Sequence, residues 1–353
     1  MKRTLIALAV TAAVAAPLAA QAAPKVYGKL NIAVEKYEDD RGGPLTTADV
    51  DNVQVSSYAS RLGVKGEDEL TATLSAVYTM EWQVNGDVTG ADLTARNRFI
   101  GLKHSDFGTI KLGAYDTNLK NAQGKVDLFN DTKGDLGAIM SGETRASNVI
   151  GYESPKIADA VSINVQLIPG EGNGQPGAGT SNNNYNGLAD GISASVVYDK
   201  DGLYLAAAYD KEVAGNLVLT TSNLATARRD SARLVAGYKI AELTLGALYE
   251  TSTGVNEAPA APVDVEETAW LLSAAYKVSD FTLKAQYVGG ENDRAVNAAD
   301  ATQFTLGADY NITSKTKAYG YYTSYELDTG LTPATNASLV EWSALAVGIE
   351  HSF

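Results

Sequence analysis

The feature that most constrains this chain is a two-residue alternation of apolar and polar side chains, repeated along most of its length. In Phe281-Thr-Leu283-Lys-Ala285-Gln-Tyr287 the odd positions are apolar or aromatic, and Thr282, Lys284 and Gln286 are polar. An extended strand sends those two sets to opposite faces. The same form returns at Leu203-x-Leu205-x-Ala207-x-Tyr209, Leu243-x-Leu245-x-Ala247-x-Tyr249 and Phe304-x-Leu306-x-Ala308-x-Tyr310. Looser versions end at Tyr198, Tyr238 and Tyr276. Helical periodicity is scarce, so the expected class is all-β.

Two settings produce such strands. In a soluble sandwich the apolar face is a core and the polar face meets bulk water. In a membrane barrel the apolar face meets lipid, the polar face lines a lumen, and aromatics gather at the interfaces. Tyrosine closing strand after strand fits the barrel, because its ring can bury in acyl chains while its hydroxyl reaches headgroups.

The connections sort into two kinds. Short ones fall at Gly66 to Leu70, Ser105 to Gly108, Ser154 to Ala160, Asp199 to Gly202, Lys239 to Glu242, Lys277 to Asp280 and Asn311 to Lys315. Long ones fall at roughly 38–52, 85–94, 116–146, 169–189, 212–229, 251–266, 289–301 and 327–340. Seven short turns alternating with eight long loops imply sixteen strands. Even strand number, short periplasmic turns and long extracellular loops are the habit of outer-membrane barrels. A sandwich has no reason to sort its loops this way.

Both ends agree. Val26 to Val34 and Leu345 to Phe353 alternate in the same manner, and the second runs to the final Phe353. A barrel needs its last strand to pair with its first so that no backbone edge faces lipid. Ahead of the first strand, Met1-Lys2-Arg3 is a basic region, Leu5 to Ala16 is apolar, and Ala20-Gln21-Ala22 is a small-x-small cleavage site. This reads as a secretory signal over 1–22, with the barrel domain over 23–353. The apolar stretch is too short and Ala-rich for a membrane-spanning helix, and no other segment has ~18 consecutive apolar residues.

Charge and composition narrow the function. Acidic residues outnumber basic ones 42 to 28, a formal net charge of −14 that becomes −16 without Lys2 and Arg3. That balance argues against nucleic acid as a partner. There is no cysteine, hence no disulfide framework and no thiolate metal site, and no cofactor is expected. The two histidines, His104 and His351, sit near short-turn ends, and no G-x-S-x-G elbow occurs, so no enzyme is expected. Gly172-Asn-Gly174-Gln-Pro-Gly177 satisfies G-x-G-x-x-G, but a loop-like Ala-Gly-Thr-Ser-Asn run follows where a dinucleotide site needs a helix. Asn311-Ile-Thr313 and Asn336-Ala-Ser338 match the glycosylation pattern and carry no weight here.

At this point the residues resemble a known family, the trimeric general porins of Gram-negative bacteria. The matching segments are Val26-Tyr-Gly-Lys-Leu30, Ser60-Arg-Leu-Gly-Val-Lys-Gly-Glu67, Arg96-Asn-Arg-Phe-Ile-Gly-Leu-Lys103, Asp106-Phe-Gly-Thr-Ile-Lys-Leu-Gly113 and the terminal His-Ser-Phe353. The resemblance implies a homotrimer of sixteen-stranded antiparallel transmembrane β-barrels in outer-membrane lipid and lipopolysaccharide. Each barrel would have its own water-filled channel for passive diffusion of small hydrophilic solutes and ions. It also implies that the third long loop, about 116–146, folds inward and narrows the bore. Asp127, Asp131 and Asp135 on that loop are then the acidic side of a constriction, with Asp131 favoured by its spacing to Arg145. Lys29, Arg61, Arg96 and Arg145 become its basic wall, with Arg98 added without a family counterpart.

Alternation gives expectations of its own. Arg61 shares the face of Gly63 and Lys65. Phe99 facing lipid turns Arg96 and Arg98 inward, and Ile150 and Tyr152 facing outward leave Arg145 on the lumen side. A charge on the lipid face costs about 2–4 kcal/mol at midplane, so inward is favoured. Opposed charges across a narrow aqueous gap sieve by width and orient dipolar solutes by their transverse field. The alternative is a substrate-selective channel of the same fold, which needs a line of ligand groups down the lumen; the aromatics are expected mostly on the outward parity. A closed adhesin barrel is a further competitor. Loop charge is screened within ~8 Å, so the constriction outweighs the acidic mouths and selectivity is expected to be weak. The acidic surface suggests bridging divalent cations or a saline habitat.

Overall fold

The computed structural model describes residues 23–40, 50–89, 93–170, 186–215, 217–219, 228–255, 264–293, 298–328 and 339–353. The signal read at 1–22, the Gly172–Gly177 motif and Asn336-Ala-Ser338 lie outside them. The described residues form seventeen strand segments: β1 (Lys25–Asp40), β2 (Val50–Ser57), β3 (Arg61–Thr71), β4 (Leu74–Val84), β5 (Leu93–His104), β6 (Gly108–Asp116), β7 (Arg145–Glu153), β8 (Val161–Ile168), β9 (Gly191–Lys200), β10 (Leu203–Val213), β11 (Arg228–Ile240), β12 (Leu243–Val255), β13 (Asp264–Val278), β14 (Phe281–Asn292), β15 (Asp300–Asn311), β16 (Thr316–Asp328) and β17 (Leu339–Ser352). One helical turn, α1 (Asn118–Asn121), and a 3-10 turn (Leu136–Ala138) lie in the connection between β6 and β7.

β2 and β3 are two halves of one barrel strand, because both pair with β1: Ile32–Asp39 with β2, and Lys25–Lys29 with β3. The break is Tyr58-Ala59-Ser60, where Ala59 takes φ 45° and the Tyr58 amide still donates to the Asn31 carbonyl. Each later strand pairs antiparallel with the next, and β17 returns to β1 through Lys29↔Ser352 to Asp40↔Glu341. The result is a closed sixteen-stranded antiparallel barrel. Closure extends to the last residue: the Phe353 amide donates to the Gly28 carbonyl at 3.0 Å. A Cβ at Gly28 would lie 2.5 Å from the Phe353 ring and 2.5 Å from the Arg61 carbonyl oxygen, so this position has room only for glycine.

The expected turn at Gly66 to Leu70 differs. β3 continues to Thr71, and the turn is Ala72-Thr73. Glu67, Asp68 and Glu69 read as turn because they are charged, yet they remain strand, with Lys103 bonding Glu67 from β5.

The outward face is largely apolar, with Leu30, Val34, Ile100, Leu112, Leu234, Leu272, Leu283, Leu306 and Val347 all exposed. Up-and-down topology explains the strand-end tyrosines. Odd strands from β9 to β15 end at the short turns and even ones at the long loops, so aromatics toward the two ends of the strands build two belts. Tyr238, Tyr276, Phe281 and Tyr310 form the turn-side belt; Tyr209, Tyr249, Trp270, Tyr287, Phe304 and Tyr322 form the loop-side one. Belt members on one strand, such as Phe281 and Tyr287, are six residues apart, about 20 Å along the strand. Trp270 stacks on Tyr287 with centroids 5.1 Å apart.

The inward face is not uniformly polar. On β10 to β14, Ala206, Val235, Leu248, Leu271 and Val288 point away from the exposed face and pack with Leu119, Val126, Leu136, Ile139 and Met140 of the β6–β7 connection. The barrel therefore has a hydrophobic core inside it, along one sector.

Candidate functional site

The segment between β6 and β7 lies against the inner wall, held by side chains that alternate with exposed apolar ones. Gln286 donates to Asp127 and to the Gly134 carbonyl while accepting from the Leu128 amide. Lys284 donates to the Leu128 carbonyl, Ser273 to that of Val126, Gln303 to that of Lys133, and Tyr204 to that of Ala122. Arg233, fully buried, bonds Glu143 of the loop at 2.9 Å and also Glu250 of β12. A buried guanidinium needs such partners, since an unpaired charge there would be strongly disfavoured. Thr117 caps α1 by accepting from the Lys120 amide.

Thus anchored along β10 to β16, the loop brings Asp131 to the opposite wall. Its Oδ2 lies 2.6 Å from Arg61 Nη2 and 3.2 Å from Lys29 Nζ. Asp131 has φ 64°, a left-handed conformation that short polar side chains tolerate better than most. Burial alone would raise its pKa, but the Lys29 and Arg61 charges outweigh burial and hold the carboxyl below the ordinary carboxylate range.

From there a row of charge runs along the wall. Glu81 accepts from Arg96 Nε at 2.7 Å and from the Tyr27 hydroxyl at 3.0 Å, with Arg61 3.9 Å away. Asn97 joins the next pair, donating to Asp116 and accepting from Arg145 Nε at 2.8 Å, while Arg145 Nη2 forms an ion pair with Asp116 at 3.0 Å. Glu350 accepts from Lys29 at 3.3 Å, and Lys120 pairs with Glu143 at 3.5 Å on the loop side. Lys29, Arg61, Arg96, Lys120 and Arg145 are thus each matched by a carboxylate among Glu81, Asp116, Asp131, Glu143 and Glu350.

The structure brings together Lys29, Arg61, Arg96, Arg145 and Asp131. It does not bring Asp127, Asp135 or Arg98 into the row. Asp127 accepts from the Phe129 and Leu136 amides and from Gln286, and Asp135 from the Asp131 and Gly137 amides, so both carboxylates shape the loop from within. Burial, and for Asp135 the neighbouring Asp127 charge, pushes both pKa values up toward neutrality. Arg98 and Phe99 occupy the reverse of their expected faces. Arg98 shares the outward side of exposed Ile100 and Leu102, while Phe99 packs inside, edge-on to Tyr115 at 5.5 Å. The cause is a bulge: Met80 pairs with Arg98 but Trp82 pairs with Ala95, so Arg96 and Asn97 together face Glu81. A second irregularity, between Gly113 and Tyr115, carries Asn148 at φ 60° and follows Arg145 along β7.

Glu81, Asp116, Asn97 and Glu350 belong to the row without having been singled out; Glu81 and Glu350 carried only the signal of a polar residue on an inward parity, whereas Asn97 shares the parity of Phe99, which reads as outward, and Asp116 falls where the long loop is expected to begin. Inward aromatics are also more numerous than expected. Tyr325 stacks on Trp342 at 5.0 Å, and Lys133 of the loop sits 4.5 Å from the centroid of Tyr37. Tyr321 and Tyr319 flank Phe129 of the loop, and the Tyr58 hydroxyl bonds Glu35. Most of this cluster is covered by the loop rather than open to the bore. Among the described residues, no three His, Asp or Glu side chains converge to hold a metal ion. His104 accepts from the Asp106 amide beside Phe107, and His351 bonds Thr316, both at the turn side.

A sequence model of the Gram-negative porin family matches residues 7–330. The major outer membrane protein P.IB of Neisseria gonorrhoeae is 25% identical over 338 residues, covering 90% of this chain and 92% of that protein. Its counterpart from Neisseria lactamica is 24% identical over the whole of both chains. Among solved structures, an anion-selective porin from Comamonas acidovorans superposes with a TM-score of 0.73 at 19% identity, covering 94% of this chain and 99% of that one. OmpF of Salmonella typhi, in complex with daunomycin, gives 0.67 at 18% identity, covering 94% and 97%.

Proposed function

The chain belongs to the Gram-negative porin family, and from that premise we propose that its wall of paired charges, Lys29 to Arg145, together with Asp131, is the constriction of its diffusion channel. As a porin it is an outer-membrane protein that lets small hydrophilic solutes and ions pass passively. The observation carrying the finer reading is the contact of Asp131 with Lys29 and Arg61, which draws the inward loop across the lumen to the wall. Solutes then pass beside this contact, along Arg96 and Arg145. Bore width sets the size limit, and the opposed charges orient dipolar solutes and slow apolar ones, which must break ordered water. No covalent step is needed for this, and we assign no catalytic residue.

Because each base in the row has an acid beside it, the local charge nearly cancels, which supports weak ion selectivity. The porin of Comamonas acidovorans that shares this fold is anion-selective; here the matched acids temper any such preference. We further infer that residues 1–22 are a cleaved export signal, that the mature chain starts near Ala23, and that three copies assemble in lipid and lipopolysaccharide. A trimer form of OmpT of Vibrio cholerae shares the fold. Asp127 and Asp135 act in this reading by shaping the loop that presents Asp131. Arg98 lies outside the constriction.

Planar-bilayer recording across a salt gradient tests the assignment. Conductance steps in threes support three pores per particle. Arg61→Ala with Arg96→Ala moves the reversal potential toward cations, and an unmoved potential refutes the constriction.

A further inference from the structure

The fifth long connection, between β10 and β11, contributes a second piece of chain to the interior. Leu219 is fully buried, in the same hydrophobic cluster as Ile139 and Met140 of the third loop and Leu271 and Val288 of the wall. Its backbone is fixed as well: Asn292 donates to the Leu219 carbonyl at 2.8 Å. The decisive group is Glu267 on β13. Its Oε1 accepts from the Leu219 amide at 2.6 Å, and its Oε2 accepts from the Val218 amide at 3.1 Å and from Ser141 Oγ at 2.6 Å. Ser141 Oγ in turn accepts from the Val218 amide at 2.9 Å. One buried carboxylate thus ties two loops to the wall and to each other. Gly290 nearby bears no side chain, and a Cβ there would lie 2.6 Å from Ile139 and 3.1 Å from Leu219, so both side chains pack directly on its backbone.

We propose that Glu267 is a positioning residue that fastens the Leu217–Leu219 stretch of the fifth long connection to the third long loop, and that Leu219 with Glu267 thereby holds the size limit of the bore. The reasoning is that a loop reaching from one wall to the other is only as steady as its least-held stretch. Residues 126–136 are held by Gln286, Lys284 and Gln303. The return stretch 139–143 has Arg233 and Glu250 below it, with Glu267 and the Leu217–Leu219 segment beside it. Charge-assisted bonds from a carboxylate to amides and a hydroxyl are the stronger kind, and burial keeps water from competing for them. Releasing Leu219 would uncover Ile139 and let the third loop move toward or away from Arg61. This inference rests on the channel reading.

The test uses the full-length protein in planar bilayers and in liposomes challenged with saccharides of increasing size. Glu267→Gln presents an amide N–H₂ where two backbone amides and a hydroxyl need acceptors, and Leu219→Ala removes the apolar contact. Both should raise open-channel noise several-fold and admit larger saccharides, while heat-modifiable gel mobility stays that of a closed barrel. The chain has no cysteine of its own, so Ser141→Cys with Val218→Cys supplies a clean tether. Oxidised in the Glu267→Gln background, it should restore quiet conductance and the original cut-off, and reduction should abolish the rescue. Unchanged noise and cut-off in both single variants overturns the proposal, as does a cysteine pair that fails to close. Should Glu267→Gln fail to fold, Leu219→Ala and the pair in the native background decide it. A native protein that passes no ions would instead sink the channel reading itself.

Discussion

Arg61 and Asp131 stand 70 residues apart in the chain, and their side chains meet at 2.6 Å, joining the second barrel strand to the loop that enters the lumen. The contact is also where the net charge of the gap is most easily altered. Asp131→Asn leaves Arg61 and Lys29 with one carboxylate fewer, Glu350 being the partner that remains for Lys29. The variant should turn the reversal potential toward anions, opposite to the double arginine variant. Both shifts should shrink as salt is raised, because screening shortens the reach of exposed charge. A shift of the same sign in both variants would mean the row does not face the ions.

Acid should affect the two kinds of loop carboxyl in opposite ways. Asp131 has its pKa held down, so its contribution to loop docking is complete above the unfolded value of about 3.9 and fades only as pH falls through its lower folded value. Asp127 and Asp135 have theirs raised, so their contribution is complete below about 3.9 and is lost as pH rises through values nearer neutrality. Between neutrality and pH ~5, acidification should therefore steady the loop without breaking the Asp131 contact. Open-channel noise should fall over that interval, and Asp135→Asn should flatten the response. Noise that climbs on mild acidification contradicts the assignment.

The architecture was legible because a barrel writes itself into short-range pattern: alternation, strand-end tyrosines, and loops sorted by length. The basic wall was legible through Lys29, Arg61, Arg96 and Arg145. Arg98 was not, because one inserted residue in β5 reverses parity, and a bulge leaves no mark when strands are read singly. Choosing among Asp127, Asp131 and Asp135 needed the loop's own hydrogen bonds. One signal was present in the residues: the doublets Leu234-Val235, Leu248-Tyr249, Leu271-Leu272 and Tyr287-Val288 break the alternation where the wall is apolar on both sides. Those doublets mark the sector on which the loops dock.

Arg233 should be the most sensitive residue behind the loop. Arg233→Ala leaves Glu250 buried with its main partner gone, and breaking a buried pair in this way costs about 3–5 kcal/mol. Replacing Arg233 by Met together with Glu143→Gln and Glu250→Gln should recover part of that loss, since no charge is then stranded. Urea titration of the refolded protein in lipid vesicles measures both. Equal stability of the single and triple variants would show that the network is not what holds the loop.

Depth-dependent substitution on β13 tests the orientation of the whole barrel. Leu272 is exposed on the outward face between Trp270 of the loop-side belt and Tyr276 of the turn-side belt. Thr268 lies on the same face of the same strand, beyond Trp270 and opposite Glu291. Arginine at Leu272 must be dehydrated among acyl chains or dragged toward the interface, a cost of about 2–4 kcal/mol at midplane; at the rim the cost falls to about 0–1 kcal/mol. The two substitutions introduce the same arginine at different heights, and Leu272→Ala and Thr268→Ala account for what loss of each native side chain contributes. Folding free energies in lipid bilayers should therefore separate Leu272→Arg from Thr268→Arg by most of that difference, and the gap should narrow in detergent micelles, which deform around the charge. If both variants fold equally well in bilayers, Leu272 does not face acyl chains, and the assignment of inner and outer walls on which the charged row depends is wrong.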